Sequence, residues 1–223
     1  NQFGQMLSGM GSSMNSAEGA GPVNYEMAKR IALQQISTDK EVSDADINAV
    51  TEAVRLAELW LDDATDLPTA SGAVKAWNST EWLEATIPMW QRLVTPVAQH
   101  MNNAQLESMP EEAREMMGPM ANMMNQMSGM NFGMQLGRAL GDLAAQALTG
   151  SDFGLPVSPA GTTALLPHNI QKIARDLNVP GQEILVYIGA REAARQRLFK
   201  HVPWLVERLV SSVEEYADRK SVV

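Results

Sequence analysis

The chain has 223 residues, enough to bury a core in one or two domains, and 45% of them are hydrophobic. Its formal net charge of −9 argues against a nucleic-acid-binding surface and against anionic membranes as a main target. There is no cysteine, which excludes disulfides, thiolate metal sites and cysteine nucleophiles and fits a cytoplasmic location.

The first half of the chain is predicted to be helical after a flexible start. Residues 1–23 are rich in Gly, Ser and Met and are predicted to form a mobile arm. A helix is expected over residues 24–37. Ser43 is a good N-cap for a second, long helix, and Ser79 is expected to cap a third. We therefore expect residues 24–110 to form an N-terminal helical part.

A glycine- and methionine-rich stretch predicts a long central helix. Four glycines recur at every fourth residue, at positions 129, 133, 137 and 141, and so form one smooth groove on a helix. Such a groove favours close packing against another helix, whereas the Asn and Gln side chains within the stretch argue against a membrane span. The methionines could be soft-metal ligands, but the interpretation we favour is a flexible apolar surface for a protein partner or a homodimer. They occupy positions 116, 117, 120, 123, 124, 127, 130 and 134.

The C-terminal part, residues 111–223, is predicted to form one compact unit with the preceding part. A Gly- and Pro-rich loop over residues 150–161 is expected to pass near a polar pocket. Helices are predicted up to about Asn178, from Gly181 to Val202, and after Pro203. Because no segment shows convincing strand alternation, the fold class predicted for the chain is all-α, with many helices.

The pentapeptide Arg191-Glu192-Ala193-Ala194-Arg195 has the layout of the zinc-protease helix motif His-Glu-x-x-His. Arginine stands at both positions where that motif has histidine. A guanidinium stays protonated and has no lone pair to give to Zn²⁺, so no metal ligand is predicted here. Glu192 is the candidate catalytic residue, since in a zincin its carboxylate takes a proton from zinc-bound water. Beside two arginines its pKa is expected to be lowered.

The position of the arginines on the helix predicts a polar pocket. On a helical wheel Arg191 and Arg195 fall within an apolar stripe. The stripe consists of Ile184, Ile188, Leu198, Phe199 and Val202, and the opposite, solvated face is expected to hold Gln196, Arg197 and Lys200. Two guanidiniums on an apolar face must snorkel, meet carboxylates or line a polar pocket. Arg191 and Arg195 are therefore predicted to form an anion-binding or salt-bridge pocket.

Three segments resemble the zincin-like zinc-dependent metallopeptidases found mainly in actinobacteria. They are Phe153-Gly154-Leu155-Pro156-Val157, Leu166-Pro167-His168-Asn169-Ile170, and the helix Arg191–Phe199 followed by Val202-Pro203-Trp204-Leu205. Ordinary members carry Arg-Glu-Ala-Ala-His, so Arg195 replaces the remaining histidine. The resemblance covers residues 130–218 well and implies a zincin-like helical domain. It also implies a family whose members run beyond the end of this chain.

Two functions follow from this resemblance. In the first, the chain is a degenerate, catalytically inactive member that serves as a scaffold or protein-interaction module and holds no cofactor within this fragment. In the second, it is a zinc-dependent peptide hydrolase whose zinc ligands lie outside the fragment. The arginine pair could also bind an anion such as a carboxylate or phosphate.

Overall fold

The computed structural model describes residues 21–37, 39–70, 72–107 and 118–219. Within these ranges the all-α prediction is confirmed, because the regular structure consists of seven α-helices, one 3-10 turn at Asp152–Gly154 and two three-residue strands. The helices are α1 Tyr25–Gln35, α2 Asp44–Ala64, α3 Ser79–Glu107, α4 Gly118–Ala144, α5 Pro167–Leu177, α6 Gly181–His201 and α7 Pro203–Arg219; the strands are β1 Val74–Ala76 and β2 Thr163–Leu165. No helix among the described residues is long and apolar enough to cross a membrane.

Helix starts follow the capping residues of the sequence closely. Ser43 caps α2 with a reciprocal capping box, in which its hydroxyl accepts from Asp46 N and the Asp46 carboxylate accepts from Ser43 N. The cap of α3 differs from the prediction by one residue. Asn78, and not Ser79, makes the reciprocal pair there, with Glu81 at 2.9 Å in both directions. Asn is as good an N-cap residue as Ser, because its side-chain oxygen also accepts a hydrogen bond from a backbone amide of the first turn.

The strands are an addition that the sequence pattern does not reveal. β1 and β2 pair in parallel, with Val74 opposite Thr163 and Ala76 opposite Leu165. Three residues are too few to show an alternating pattern, and β2 is buried at every position, so its apolar run resembles any core segment. The segments that precede the two strands also lie close together. A methyl group on Gly72 would lie only 1.4 Å from the Gly161 carbonyl oxygen, so there is no room for a side chain at Gly72.

The chain divides into two compact units. The described residues of the first are 21–35, 91–107, 118–142 and 213–219. The second comprises residues 36–90 and 143–212, apart from residues 38 and 71. The predicted arm, residues 1–23, lies almost wholly outside the described residues, as do the methionines at 116 and 117.

In the first unit the glycine groove of α4 packs against the chain's own α1. A methyl group on Gly133 would lie 2.5 Å from the Asn24 carbonyl oxygen, and one on Gly129 would lie 2.8 Å from that of Gly21. The Asn24 amide donates to the Gly129 carbonyl at 3.0 Å. The expected close helix packing is therefore present, and the missing side chains are what permits it.

Replacing Gly137 with alanine is expected to destabilise the fold by about 1 to 2 kcal/mol, because overpacking outweighs the gain in helix propensity. The new methyl would lie 2.6 Å from the Ala28 carbonyl oxygen and 2.9 Å from Ile31 Cβ. Thermal unfolding of Gly137→Ala against Gly189→Ala measures this. At Gly189 the nearest backbone, that of Ala53, lies 3.7 Å away, so that variant should be as stable as the parent or more so. Equal losses in both variants would refute close packing at Gly137.

In the second unit α2 and α6 pack across a small-residue contact. Both helices contribute buried side chains to one cluster together with β2 and α5, and Gly189 lies over Ala53. The buried members are Val50, Ala53, Val54, Leu165, Ile170, Leu185, Val186 and Ile188. This cluster fixes α6, the helix that carries the pentapeptide.

The predicted faces of α6 are wrong in part. Ile188 is buried as expected, but Leu198 is 41% exposed. Gln196 and Arg197, expected in solvent, are 3% and 1% exposed. The reason is that α6 is covered on more than one side. Arg197 makes polar contacts to α2, which an apolar stripe cannot predict.

Candidate functional site

Glu192 lies at the centre of the candidate site and is completely buried. Its side chain is 0% exposed, on the face of α6 directed at the turn that follows α4. The Ser151 hydroxyl donates to Glu192 Oε2, and Gln196 Nε2 donates to Oε1 at 2.9 Å. Both carboxylate oxygens therefore accept hydrogen bonds from neutral groups of the protein.

The two arginines that flank Glu192 contact the same turn. Arg191 Nη2 donates to Asp152 Oδ1 at 3.0 Å, and Arg195 Nη1 donates to the Ser151 carbonyl at 3.1 Å. Both arginines are partly buried, and the Arg191 side chain is 37% exposed. Neither guanidinium extends freely into solvent. The three polar side chains of the pentapeptide thus end on two consecutive residues, Ser151 and Asp152.

The turn that receives them is held from several sides. Asp152 Oδ2 accepts from the amides of Leu148 and Thr149, and Asp152 Oδ1 accepts from the Thr149 hydroxyl at 3.0 Å. The Gly150 amide donates to the Ala164 carbonyl at 3.0 Å, which links the turn to β2. We call residues Thr149–Asp152 the motif turn. These bonds shape the motif turn and tie it to β2, and the two arginines of α6 hold it against that helix.

Burial raises the pKa of the Glu192 carboxyl above its ordinary value of 4.5. The hydrogen bonds from Ser151 and Gln196 and the charge of Arg195 act in the opposite direction but do not offset burial. The expected lowering of this pKa is therefore wrong. The arginines contact Asp152 and a carbonyl instead of pairing with the carboxylate, so desolvation dominates.

This pKa shift predicts a dependence of stability on pH. The folded chain holds the Glu192 proton more tightly than the unfolded chain does, so stability falls as pH rises from 4.5 through the raised folded-state pKa. Glu192→Gln cannot titrate and keeps the same shape. Its stability advantage over the parent should therefore be smallest at acidic pH and grow towards neutral pH. Paired urea unfolding curves over this range measure the difference, and a difference that does not vary with pH would contradict the raised pKa.

The residues at this helix do not fit a zinc ion. A zinc site needs three or four lone-pair donors around one point, whereas Arg191 and Arg195 supply none. His168 lies 3.5 Å from Asp46, and His201 is beside the Thr69 carbonyl. Within the described ranges no group of three His, Cys, Asp or Glu side chains is placed to hold a metal.

The sequence identified the pentapeptide but not its partners. Ser151, Asp152 and Gln196 complete the site, and of these only the loop containing the first two was expected near it. The sequence around Ser151 and Asp152 contains only a short-range signal, one for a turn. A Thr-Gly-Ser-Asp run is a good turn-forming sequence, because its hydroxyls and carboxylate bond to nearby amides. That signal predicts a turn but not the helix against which it packs.

Comparison with known proteins gives a family and a fold. A family model described as zincin-like metallopeptidase matches residues 23–222. A crystal structure from Chloroflexus aurantiacus, described as a "putative hydrolase with a novel fold", has a TM-score of 0.62 and 19% sequence identity to the chain. That match covers 88% of this chain and 59% of the other, so the chain spans little more than half the length of that protein. At this identity the likeness shows the fold alone. No curated protein matches the chain.

Proposed function

The chain belongs to the zincin-like metallopeptidase family, and we propose that it is a catalytically inactive member that serves as a helical scaffold for protein interaction. The observation that carries this proposal is the state of Glu192. A general base must reach water or substrate, yet this carboxylate is 0% exposed and both of its oxygens accept hydrogen bonds from the protein.

The chemistry of the neighbouring residues supports the same conclusion. Zinc supplies a zincin with a Lewis acid and lowers the pKa of its bound water. Arg191 and Arg195 stand where the ligands would be and hold the motif turn through Asp152 and the Ser151 carbonyl. Without such activation, a lone carboxylate is too weak a base to deprotonate water usefully. The pentapeptide therefore acts as a clamp that fixes the motif turn against α6.

Peptide hydrolysis by the full-length protein tests the inactivity. A mixture of unstructured peptides, incubated with added zinc, should yield no more cleavage with the parent than with Glu192→Gln. Mass spectrometry of the products gives the readout. Cleavage by the parent that is lost in Glu192→Gln would overturn the proposal, since that variant keeps the shape of the side chain and cannot act as a base.

The partner surface that we propose is the methionine side of α4. Its glycine edge is already covered by α1, so that edge is not available to another protein. Met123 and Met127 are 62% and 64% exposed, and unbranched methionine adapts to different partners at little cost. The partner is either another protein or a second copy of the chain. Light scattering tests the second possibility: a dimer mass that Met127→Glu reduces to that of a monomer supports self-association, and a monomeric parent rules it out.

A zinc-dependent peptide hydrolase is the second candidate. Family membership favours it, and the related hydrolase structure extends well beyond the part that matches this chain. In this case the zinc ligands lie outside the 223 residues of this sequence. The two candidates differ in the zinc content expected of the protein.

Other expectations from the sequence remain predictions. These are the arm over residues 1–23, the two helical parts over residues 24–110 and 111–223, a cytoplasmic location and an actinobacterial origin. An anion held between Arg191 and Arg195 also remains a prediction. The contacts of both guanidiniums with the motif turn favour the salt-bridge form of that pocket.

A further inference from the structure

A cavity of about 220 Å³ lies in the second unit, lined in part by Gln196, the hydrogen-bond partner of Glu192. It is bounded by the C-terminal half of α6, by the loop before β2, and by single residues of α3 and α7. Its lining consists of Met89, Pro156, Ser158, Ala160, Gly161, Gln196, Phe199, Lys200 and Val206. Most of this wall is apolar, and an apolar cavity of about 150 Å³ is enough to hold a benzene ring. The space therefore suits one branched or aromatic side-chain-sized group.

Two polar side chains in this wall are deeply buried. Ser158 is 8% exposed, and its hydroxyl-bearing side chain lines the cavity. Gln196 is 3% exposed, and its Nε2 donates a hydrogen bond to Glu192, so its amide oxygen remains available to accept one. Water or a ligand in the cavity can hydrogen-bond to both.

Glu192 fixes which end of the Gln196 amide faces the cavity. An ionised carboxylate only accepts hydrogen bonds, so Gln196 must direct its NH₂ group to Glu192 and its carbonyl oxygen elsewhere. The Gln196 amide oxygen is therefore the hydrogen-bond acceptor that faces the cavity. A ligand with an N–H group at this position can donate to it, whereas a ligand with a carbonyl there cannot.

The third polar wall residue is a cation. Lys200 is exposed at the end of α6 and makes no ion pair with the described residues. It is one turn beyond Gln196 on the same face of the helix. An ammonium group without a partner, beside an apolar cavity, attracts a ligand that is anionic at one end and apolar at the other.

We propose that this cavity binds an apolar group joined to a carboxylate and an amide N–H, such as the C-terminal residue of a peptide. The apolar group occupies the space beside Phe199 and Met89, the carboxylate pairs with Lys200, and the N–H donates to Gln196. A small branched-chain carboxylic acid shares the first two features. The site does not depend on whether the chain hydrolyses peptides, because binding here requires no reaction.

Calorimetry and thermal shift with the full chain test the proposal, using three probes at millimolar concentration. N-acetyl-leucine carries all three features, 4-methylpentanoate lacks the N–H, and N-acetyl-leucinamide lacks the charge. N-acetyl-leucine should bind on the order of tenfold more tightly than the amide. Tighter binding of N-acetyl-leucine than of 4-methylpentanoate indicates a peptide terminus, and equal binding indicates a free acid.

Three variants make the test specific. Lys200→Met should weaken binding of N-acetyl-leucine on the order of tenfold, whereas Lys172→Met, an exposed lysine of α5 outside the cavity, should leave it unchanged. Ala160→Trp places a large ring at the exposed rim and should abolish binding without disturbing the fold. The proposal is overturned if no probe binds the folded parent, or if binding survives in both Ala160→Trp and Lys200→Met.

Discussion

Replacing Arg197 with methionine is expected to destabilise the fold by about 3 kcal/mol, the scale for breaking a buried ion pair. The Arg197 side chain is 1% exposed and joins α6 to α2 and to the loop that follows it. Its donors reach Glu58 Oε2 at 2.8 Å, Asp62 Oδ1 at 2.7 Å and the Leu67 carbonyl at 2.7 Å. Methionine fills part of the volume but leaves these acceptors without a donor. The partial exposure of Glu58 and Asp62, at 21% and 61%, keeps the loss below the upper end of that scale.

Urea unfolding at neutral pH measures the effect of Arg197→Met. Arg55→Met is the matched control, because Arg55 on α2 also pairs with a glutamate but is 66% exposed. Exposed pairs contribute little, so the control should unfold close to the parent. If both variants lose similar stability, or if Arg197→Met unfolds like the parent, the buried network is not a main contributor to the packing of α6.

Replacing Ser151 with alanine is expected to cost about 2 kcal/mol at neutral pH, because it removes a hydrogen bond to a buried ionised group. The Ser151 hydroxyl donates to Glu192 Oε2 and opposes the rise of the Glu192 pKa. Without it, the carboxylate loses one of two neutral donors in a site that solvent does not reach. The cost should decrease at acidic pH, where Glu192 holds a proton in both variant and parent.

A double-mutant cycle isolates this contact. Ser151→Ala should cost much less in a Glu192→Gln background, because the amide carries no charge to be stabilised. The four unfolding free energies, of the parent, each single variant and the double variant, give the coupling energy. Additive losses, with no coupling, would show that Ser151 stabilises the motif turn without any contribution through Glu192.

Local signals in the sequence were sufficient for much of the fold. The Ser43 cap predicts α2 because a capping hydroxyl acts on amides two or three residues away. The four-residue glycine spacing predicts close packing on α4, although it does not identify α1 as the helix that packs there. Features that depend on distant partners were not predictable. Arg197 appears solvated on a helical wheel, and only its contacts with Glu58 and Asp62 of α2 and with the Leu67 carbonyl show why it is buried.

In the candidate site, too, features set by neighbouring residues could be predicted and those set by distant partners could not. The pentapeptide is recognisable because its residues are consecutive, and the chemistry of arginine excludes it as a zinc ligand from the sequence alone. The raised pKa of Glu192 could not be predicted, since it depends on how far Arg191 and Arg195 turn away towards Asp152 and the Ser151 carbonyl. The nearness of Arg191 and Arg195 to Glu192 in the sequence predicts a lowered pKa for its carboxyl. Burial of the carboxyl in the folded chain raises that pKa instead.

The zinc content of the full-length protein tests most directly whether the pentapeptide clamps the motif turn instead of holding a metal. Protein purified in the presence of zinc and dialysed against metal-free buffer is measured by elemental mass spectrometry. The clamp predicts only trace zinc, with the same amount in the parent and in Arg191→Ala. One zinc ion per chain, retained through dialysis by the parent, would contradict it.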